Sequence, residues 1–264
     1  MSGRDATGDE PEVGRPPFPP RYGLEVLLML GVSLGMSGIN AVVALVDRLT
    51  QPTALGQQTA VLNGTYVQDR EWLDFIYQVV SLFNGMIPPL FALFLLARSQ
   101  LGPGFGIGFD WTRIKREIAQ GAGFAALIGI PGLGVVYAAH EFGFNAQIVA
   151  ESLPDVWYRI PVLIASAFQN ATSEEVIVIG YLLTRLGQLG WSRERSIVAA
   201  AVLRGSYHLY QGFGGFVGNA VMGLIFGWWF TRTRRVLPLL IAHGIIDSVS
   251  FVGYVYLSSH ISWI

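Results

Sequence analysis

The chain has 264 residues, of which 52% are hydrophobic and 13% charged, with a net charge of −1 and no cysteine. So little charge, against about 25% in soluble domains, with a mean hydropathy of +0.47, excludes a disordered chain, a nucleic-acid-binding protein and an ordinary soluble enzyme. The lack of cysteine excludes disulfides, thiolate zinc sites and a cysteine nucleophile, and an integral membrane protein is what remains.

Residues 1–22 form a polar, Pro-rich tail in which Asp5, Asp9, Glu10 and Glu12 alternate with Arg4, Arg15 and Arg21. It reads as a disordered cytoplasmic segment, not a signal peptide, because the first apolar run is too long for one. A membrane-spanning helix needs about 20 largely apolar residues. Seven segments qualify, at 24–46, 73–97, 119–139, 157–184, 196–212, 215–231 and 237–258. The expected fold is all-α, a polytopic transmembrane bundle of seven spans, or eight if the fourth breaks. Its middle reads QNATSEE, and Thr172 followed by Glu175 fits a capping box that would start a new helix there. The domain plan is a tail at 1–22, N-terminal transmembrane helices at 23–156, a helical core at 157–258 and a short tail at 259–264. No internal repeat of the transporter kind is visible.

Basic residues cluster in alternate loops. Arg98, Arg113, Lys115 and Arg116 follow span two, Arg185, Arg193 and Arg195 follow span four, and Arg232, Arg234 and Arg235 follow span six. The positive-inside rule puts these loops and the N-terminus in the cytoplasm and the C-terminus outside. Trp111 with its basic neighbours, and WWF at 228–230, read as anchors at the inner membrane surface. Gly214/Gly218 and Gly223/Gly227 are small-xxx-small pairs for close helix packing.

The informative residues are the ones that apolar spans should not contain. Glu174, Glu175, Arg204, His208, His243 and Asp247 all fall inside the last four spans. Unpaired, six such groups would cost roughly 15 kcal/mol, as much as the whole stability of a domain at about 5–15 kcal/mol. They must therefore meet one another or line a wet cavity. Arg204/His208 and His243/Asp247 are i, i+4 pairs, each on one helix face. Counted at about 1.5 Å per residue from the cytoplasmic ends, the groups lie about 9–18 Å deep, so three helices deliver them to one layer. Glu174, Glu175, His208, His243 and Asp247 are the candidate catalytic residues, with Arg204 and Asn219 in support. Glu174 and Glu175 point about 100° apart on a helix, so one of them, Glu174, is expected to face water as a base, while Glu175 caps or pairs with Arg204.

Two chemistries fit. Two His and a carboxylate can bind zinc, with Glu174, His208 and His243 as ligands. The same groups can act without a cofactor, a Glu and a His activating water while a second His meets the oxyanion. Asn219 is expected to make an interhelical hydrogen bond, Gln169 and Asn170 precede the Glu pair, and Ser173 and Ser206 read as packing residues. His140, in HEFGF, fails the H-E-x-x-H pattern at Phe144.

A Glu-Glu pair, a His on the next span and His-x-x-x-Asp on the last resemble the CPBP family, the CAAX prenyl proteases of Ras-converting type and their bacterial bacteriocin-processing and immunity relatives. Glu174, Glu175 and Gly180 match the family's E-E-x-x-x-R-Gly motif, His208 its F-x-x-x-H and His243 with Asp247 its H-x-x-x-N/D. Ile179 stands where Arg is usual and Arg204 where Phe is usual, and Arg204 is placed to supply the missing guanidinium from the next helix. The resemblance, over about 157–258, implies an intramembrane endopeptidase in which Glu174 and His208 activate water and His243 with Asp247 hold the oxyanion. The implied partners are membrane lipid and a peptide or membrane-protein substrate. The Arg-rich, Lys-poor composition points to a bacterial plasma membrane. Two rivals remain open, a non-catalytic scaffold or immunity-type protein and a proton-coupled transporter using the same groups as a relay.

Overall fold

The computed structural model describes residues 21–99 and 101–260. The expected tail at 1–22, but for its last two residues, and positions 261–264 lie outside the described residues. The chain is mostly helical: α1 Tyr22–Gly31, α2 Leu34–Thr50, α3 Glu71–Ala97, α4 Ile114–Glu141, α5 Arg159–Glu174, α6 Leu183–Gln188, α7 Arg193–Ser206, α8 Phe213–Thr233 and α9 Leu237–Leu257.

Five of these stretches are long and apolar enough to cross a membrane: α3, α4, the continuous run Arg159–Gln188, α8 and α9. The pair α1/α2, bent by 50° at its break, passes the same test only when taken together, as a broken span or a re-entrant loop. The expected span at 196–212 is corrected. Its helix, α7, has 14 residues, about 21 Å at 1.5 Å per residue, short of a hydrocarbon core of about 30 Å. A 3₁₀ turn, Leu209–Gln211, completes its path from the end of the bundle near α6 to the opposite end, where Gly212 bridges Asn145. Apolar composition alone ran through that turn, which is why helix and turn look like one span in the sequence.

The break proposed at Thr172 is corrected as well. Thr172 donates its hydroxyl back to the Phe168 carbonyl at 2.7 Å and starts no helix. Instead α5 passes at Glu174 into a π-helical segment, Glu175–Leu182, which runs on into α6. Such widened turns favour functional sites. This composite helix is the centre of the bundle: 61% of its apolar window is buried, against 11% for α4. Val176, Ile177, Val178 and Ile179 pack on Phe226 and Phe230 of α8 and Leu239 of α9.

Helix α3 carries Pro88 and Pro89 in its interior. Proline has no N–H to give to the carbonyl four residues back, so Gly85 loses its helical donor to Pro89. Ser173 supplies one, its hydroxyl donating to the Gly85 carbonyl at 3.0 Å. Gly85 also makes room for Gln169, whose amide a Cβ there would displace. Helices α3 and α5 are thus pinned one residue before Glu174. Across the bundle, Gly223 and Gly227 lie against Ala201 and Ile197 of α7, so this small-xxx-small pair forms the α7–α8 seam. Gly218 takes no close part.

The two ends differ. One collects Glu25, Ser99, Arg185, Thr184, Arg234, Asp110, Glu117 and Arg235, with Val236 N–H donating to the Ile107 carbonyl at 2.8 Å. The other is closed by the two long loops, in which strands β1 (Thr59–Val61) and β2 (Gln147–Val149) pair in parallel with Thr59 opposite Gln147. These short strands are the one departure from an all-helical chain among the described residues. Asn145 accepts from the first amides of α8, Gly214 at 2.9 Å and Gly215 at 3.3 Å, capping from another loop the helix that begins just after the site turn.

Candidate active site

The composite helix, α7 with its turn, and α9 bring all six charged groups into one connected cluster. Glu174 is the last residue of α5, Glu175 the first of the π-helical segment. Arg204 lies in the last turn of α7, His208 one residue beyond its cap, and His243 and Asp247 on α9.

Arg204 is the hub. One guanidinium nitrogen donates to Glu175 Oε1 at 2.7 Å. The other lies 3.2 Å from Glu174 Oε2 and 3.1 Å from His243 Nδ1. The guanidinium also stands over the Phe226 ring at 5.5 Å. Ile179 is buried and apolar where the resemblance calls for Arg, and it is Arg204 that meets the Glu pair.

The two glutamates are unequal. Glu175 is wholly enclosed, whereas the Glu174 side chain keeps 11% of its surface open. Oε2 of Glu174 accepts from the Tyr207 hydroxyl at 2.8 Å and pairs with the Arg204 guanidinium at 3.2 Å. Oε1 faces His208 Nε2 at 3.9 Å. His208 Nδ1 lies 2.9 Å from the Arg204 carbonyl, which can only accept. The proton of the neutral ring is therefore on Nδ1 and the lone pair on Nε2, aimed at Glu174. The two acceptors lie 3.9 Å apart, each group held from behind.

His243 turns Nδ1 to Glu175 Oε1 at 2.9 Å and Nε2 to Asp247 Oδ2 at 3.5 Å. Asp247 keeps 21% of its side chain open and so lies toward the accessible side of the cluster.

Among the described residues no three His, Cys, Asp or Glu side chains are arranged to hold a metal ion. His243 commits both nitrogens to carboxylates, and the guanidinium of Arg204 stands between Glu174, Glu175 and His243, where a cation would have to enter.

Asn219 does not join the cluster. Its amide donates to the Gly215 carbonyl of its own helix at 3.0 Å, which corrects the interhelical bond and the supporting role expected for it. Ser206 donates to the Leu203 carbonyl and packs on Gly38. Gln169 donates to Ser173 at 2.9 Å, one residue from Glu174. Tyr207 was missed. The available signal was spacing: Arg204, Tyr207 and His208 are i, i+3 and i+4, hence on one helical face.

No curated protein and no solved structure matches the chain. A family model does. Residues 156–249, about a third of the chain and the stretch that carries all six charged groups, match Type II CAAX prenyl endopeptidase Rce1-like, in agreement with the resemblance that the motifs carry.

Proposed function

We propose that the protein is an intramembrane endopeptidase that cleaves a membrane-associated peptide or protein with a water molecule activated by Glu174 and His208. The family match supports protease chemistry. The observation that carries the residue assignment is the 3.9 Å gap between Glu174 Oε1 and His208 Nε2, with the other atom of each group already held.

In this reading a water donates its two hydrogens to Glu174 Oε1 and His208 Nε2. As its oxygen attacks the scissile carbonyl carbon, Glu174 takes a proton. His243, with carboxylate oxygens against both ring nitrogens, donates from Nε2 to the developing oxyanion, and Asp247 holds it in place. The proton on Glu174 then passes to the departing amine as the C–N bond breaks. Glu175 and Arg204 hold the two helices in register and touch no substrate. No cofactor enters the scheme. The bundle sits in a bacterial plasma membrane, with its basic end and N-terminus in the cytoplasm.

Glu174→Gln is nearly isosteric and tests the reading without a known substrate. Protein termini are mapped by mass spectrometry in membranes of cells making either form. General-base removal should cost about 10²–10⁴-fold, so termini that depend on the wild-type chain should vanish in the variant at unchanged abundance. Equal termini from both forms would refute the role of Glu174 and favour a scaffold.

A further inference from the structure

We infer that Tyr207 is a positioning residue that decides which oxygen of Glu174 takes the proton, an inference that rests on the reading of Glu174 as the base. Its hydroxyl donates to Glu174 Oε2 at 2.8 Å, and Arg204 reaches the same oxygen at 3.2 Å. A carboxylate oxygen has two lone pairs in its plane. Here Oε2 holds the phenol's hydrogen bond and faces the guanidinium, and Oε1 is left to face His208. Without the phenol, the carboxylate is held on one side only and can rotate, exchanging its oxygens between Arg204 and the water position.

The local fold explains why Tyr207 can do this. Tyr207 is the cap of α7, the point where the chain leaves the helix for the 3₁₀ turn. Its ring lies beside that of His208, centroids 4.8 Å apart at 41°, so one short segment carries the clamp on Oε2 and the partner of Oε1. Tyr207 is buried, and a buried phenol without an acceptor would lose about 1–3 kcal/mol. Glu174 therefore fixes Tyr207 as firmly as Tyr207 fixes Glu174.

The test pairs a spectrum with a rate. Tyr207→Phe removes the hydroxyl and keeps the ring against His208. The infrared difference between Glu174 and Glu174→Gln proteins isolates the carboxylate stretch of Glu174, recorded once with Tyr and once with Phe at position 207. The band should move between the two, because a charge-assisted hydrogen bond has been lost. Tyr207→Phe should also slow formation of the enzyme-dependent termini roughly 10- to 100-fold, the equivalent of one hydrogen bond to a charged group, and add nothing in the Glu174→Gln background. An unmoved band overturns the inference, as does an unchanged rate of terminus formation in Tyr207→Phe. If Glu174→Gln itself keeps the termini, the base reading fails, while the band still reports whether the phenol holds the carboxylate.

Discussion

Among the described residues Arg185 and Arg204 are the two largest fully buried side chains, one at the basic end of the bundle and one in the polar layer. Arg185 is completely provided for. It donates to Glu25 at 2.7 Å, to Ser99 and Gln188 at 2.8 Å each and to the Leu95 carbonyl at 2.9 Å, and lies against the rings of Tyr22 and Tyr181. One cation meets one carboxylate, and every nitrogen is used. Arg204 meets two carboxylates and a histidine, yet its Nε and the Oε2 of Glu175 are buried without a partner among the described residues. Burial alone does not say how an arginine is partnered. Arg185 has one carboxylate and neutral acceptors for its nitrogens, whereas the layer around Arg204 keeps excess negative charge and unfilled hydrogen-bonding capacity.

Removing each guanidinium is the most direct way to break this comparison, and the larger effect is expected at the layer. Arg204→Met leaves Glu174 and Glu175 buried together without a counter-charge. Breaking such a pair costs about 3–5 kcal/mol, and at about 2–4 °C per kcal/mol the detergent-solubilised protein should melt roughly 6–20 °C lower. Glu175→Gln added to Arg204→Met should recover part of that loss. If it recovers none, Arg204 stabilises the layer by packing and not by charge.

Arg185→Met should do less and do it elsewhere. Its carboxylate partner, Glu25, keeps 25% of its side chain open and can turn to water, so the loss is that of a few hydrogen bonds, about 2 kcal/mol. Because Arg185 ties α1 to α3 and α6, faster hydrogen exchange should be confined to Tyr22–Gly31, while the enzyme-dependent termini persist. Termini lost with α1 still protected would show that the latch and the layer are coupled.

The same contrast governs what could be read from the sequence. Glu174, Glu175, Arg204, His208, His243 and Asp247 were legible because a charge inside an apolar span is expensive enough to need a reason, and helical spacing put the pairs on common faces. Arg185 was misread as a loop marker. It falls where an apolar run ends, and nothing local distinguishes an arginine facing the cytoplasm from one folded back onto Glu25, 160 residues away. Tyr207 was passed over for the opposite reason: an aromatic in an apolar stretch looks ordinary, and its hydroxyl gains meaning only once α5 is placed beside it. The π-helical segment at Glu175 leaves no trace in hydrophobic periodicity, because all eight of its residues are buried and there is no polar face to show a change of pitch. The Ser173–Gly85 bond needed two facts to be combined, a proline at position 89 and the neighbourhood of α5, and only the first is written in the chain.

The smallest effect is expected outside the membrane, at the basic end, where solvent is near. Asp110 accepts from the Thr112 hydroxyl, from the Thr112 amide at 3.0 Å and from Arg235 at 3.1 Å, while Arg235 also binds Glu117. These donors, the Thr112 hydroxyl first and Arg235 next, hold the Asp110 carboxyl down at about 2, from an ordinary 3.8. A carboxyl depressed on folding stabilises the protein above its unfolded value and loses that contribution as pH falls toward the folded one. The window is thus about 3.8 down to about 2. With Asp110 and Arg235 both partly open to water, screening reduces the contribution to about 1 kcal/mol. Asp110→Asn should therefore lower the melting temperature by about 2–4 °C near pH 6, and the gap to wild type should close as pH approaches 2. A gap that stays constant across that window would mean that Asp110 holds the loop through neutral hydrogen bonds alone, and that ion pairing at this end of the bundle adds nothing to stability.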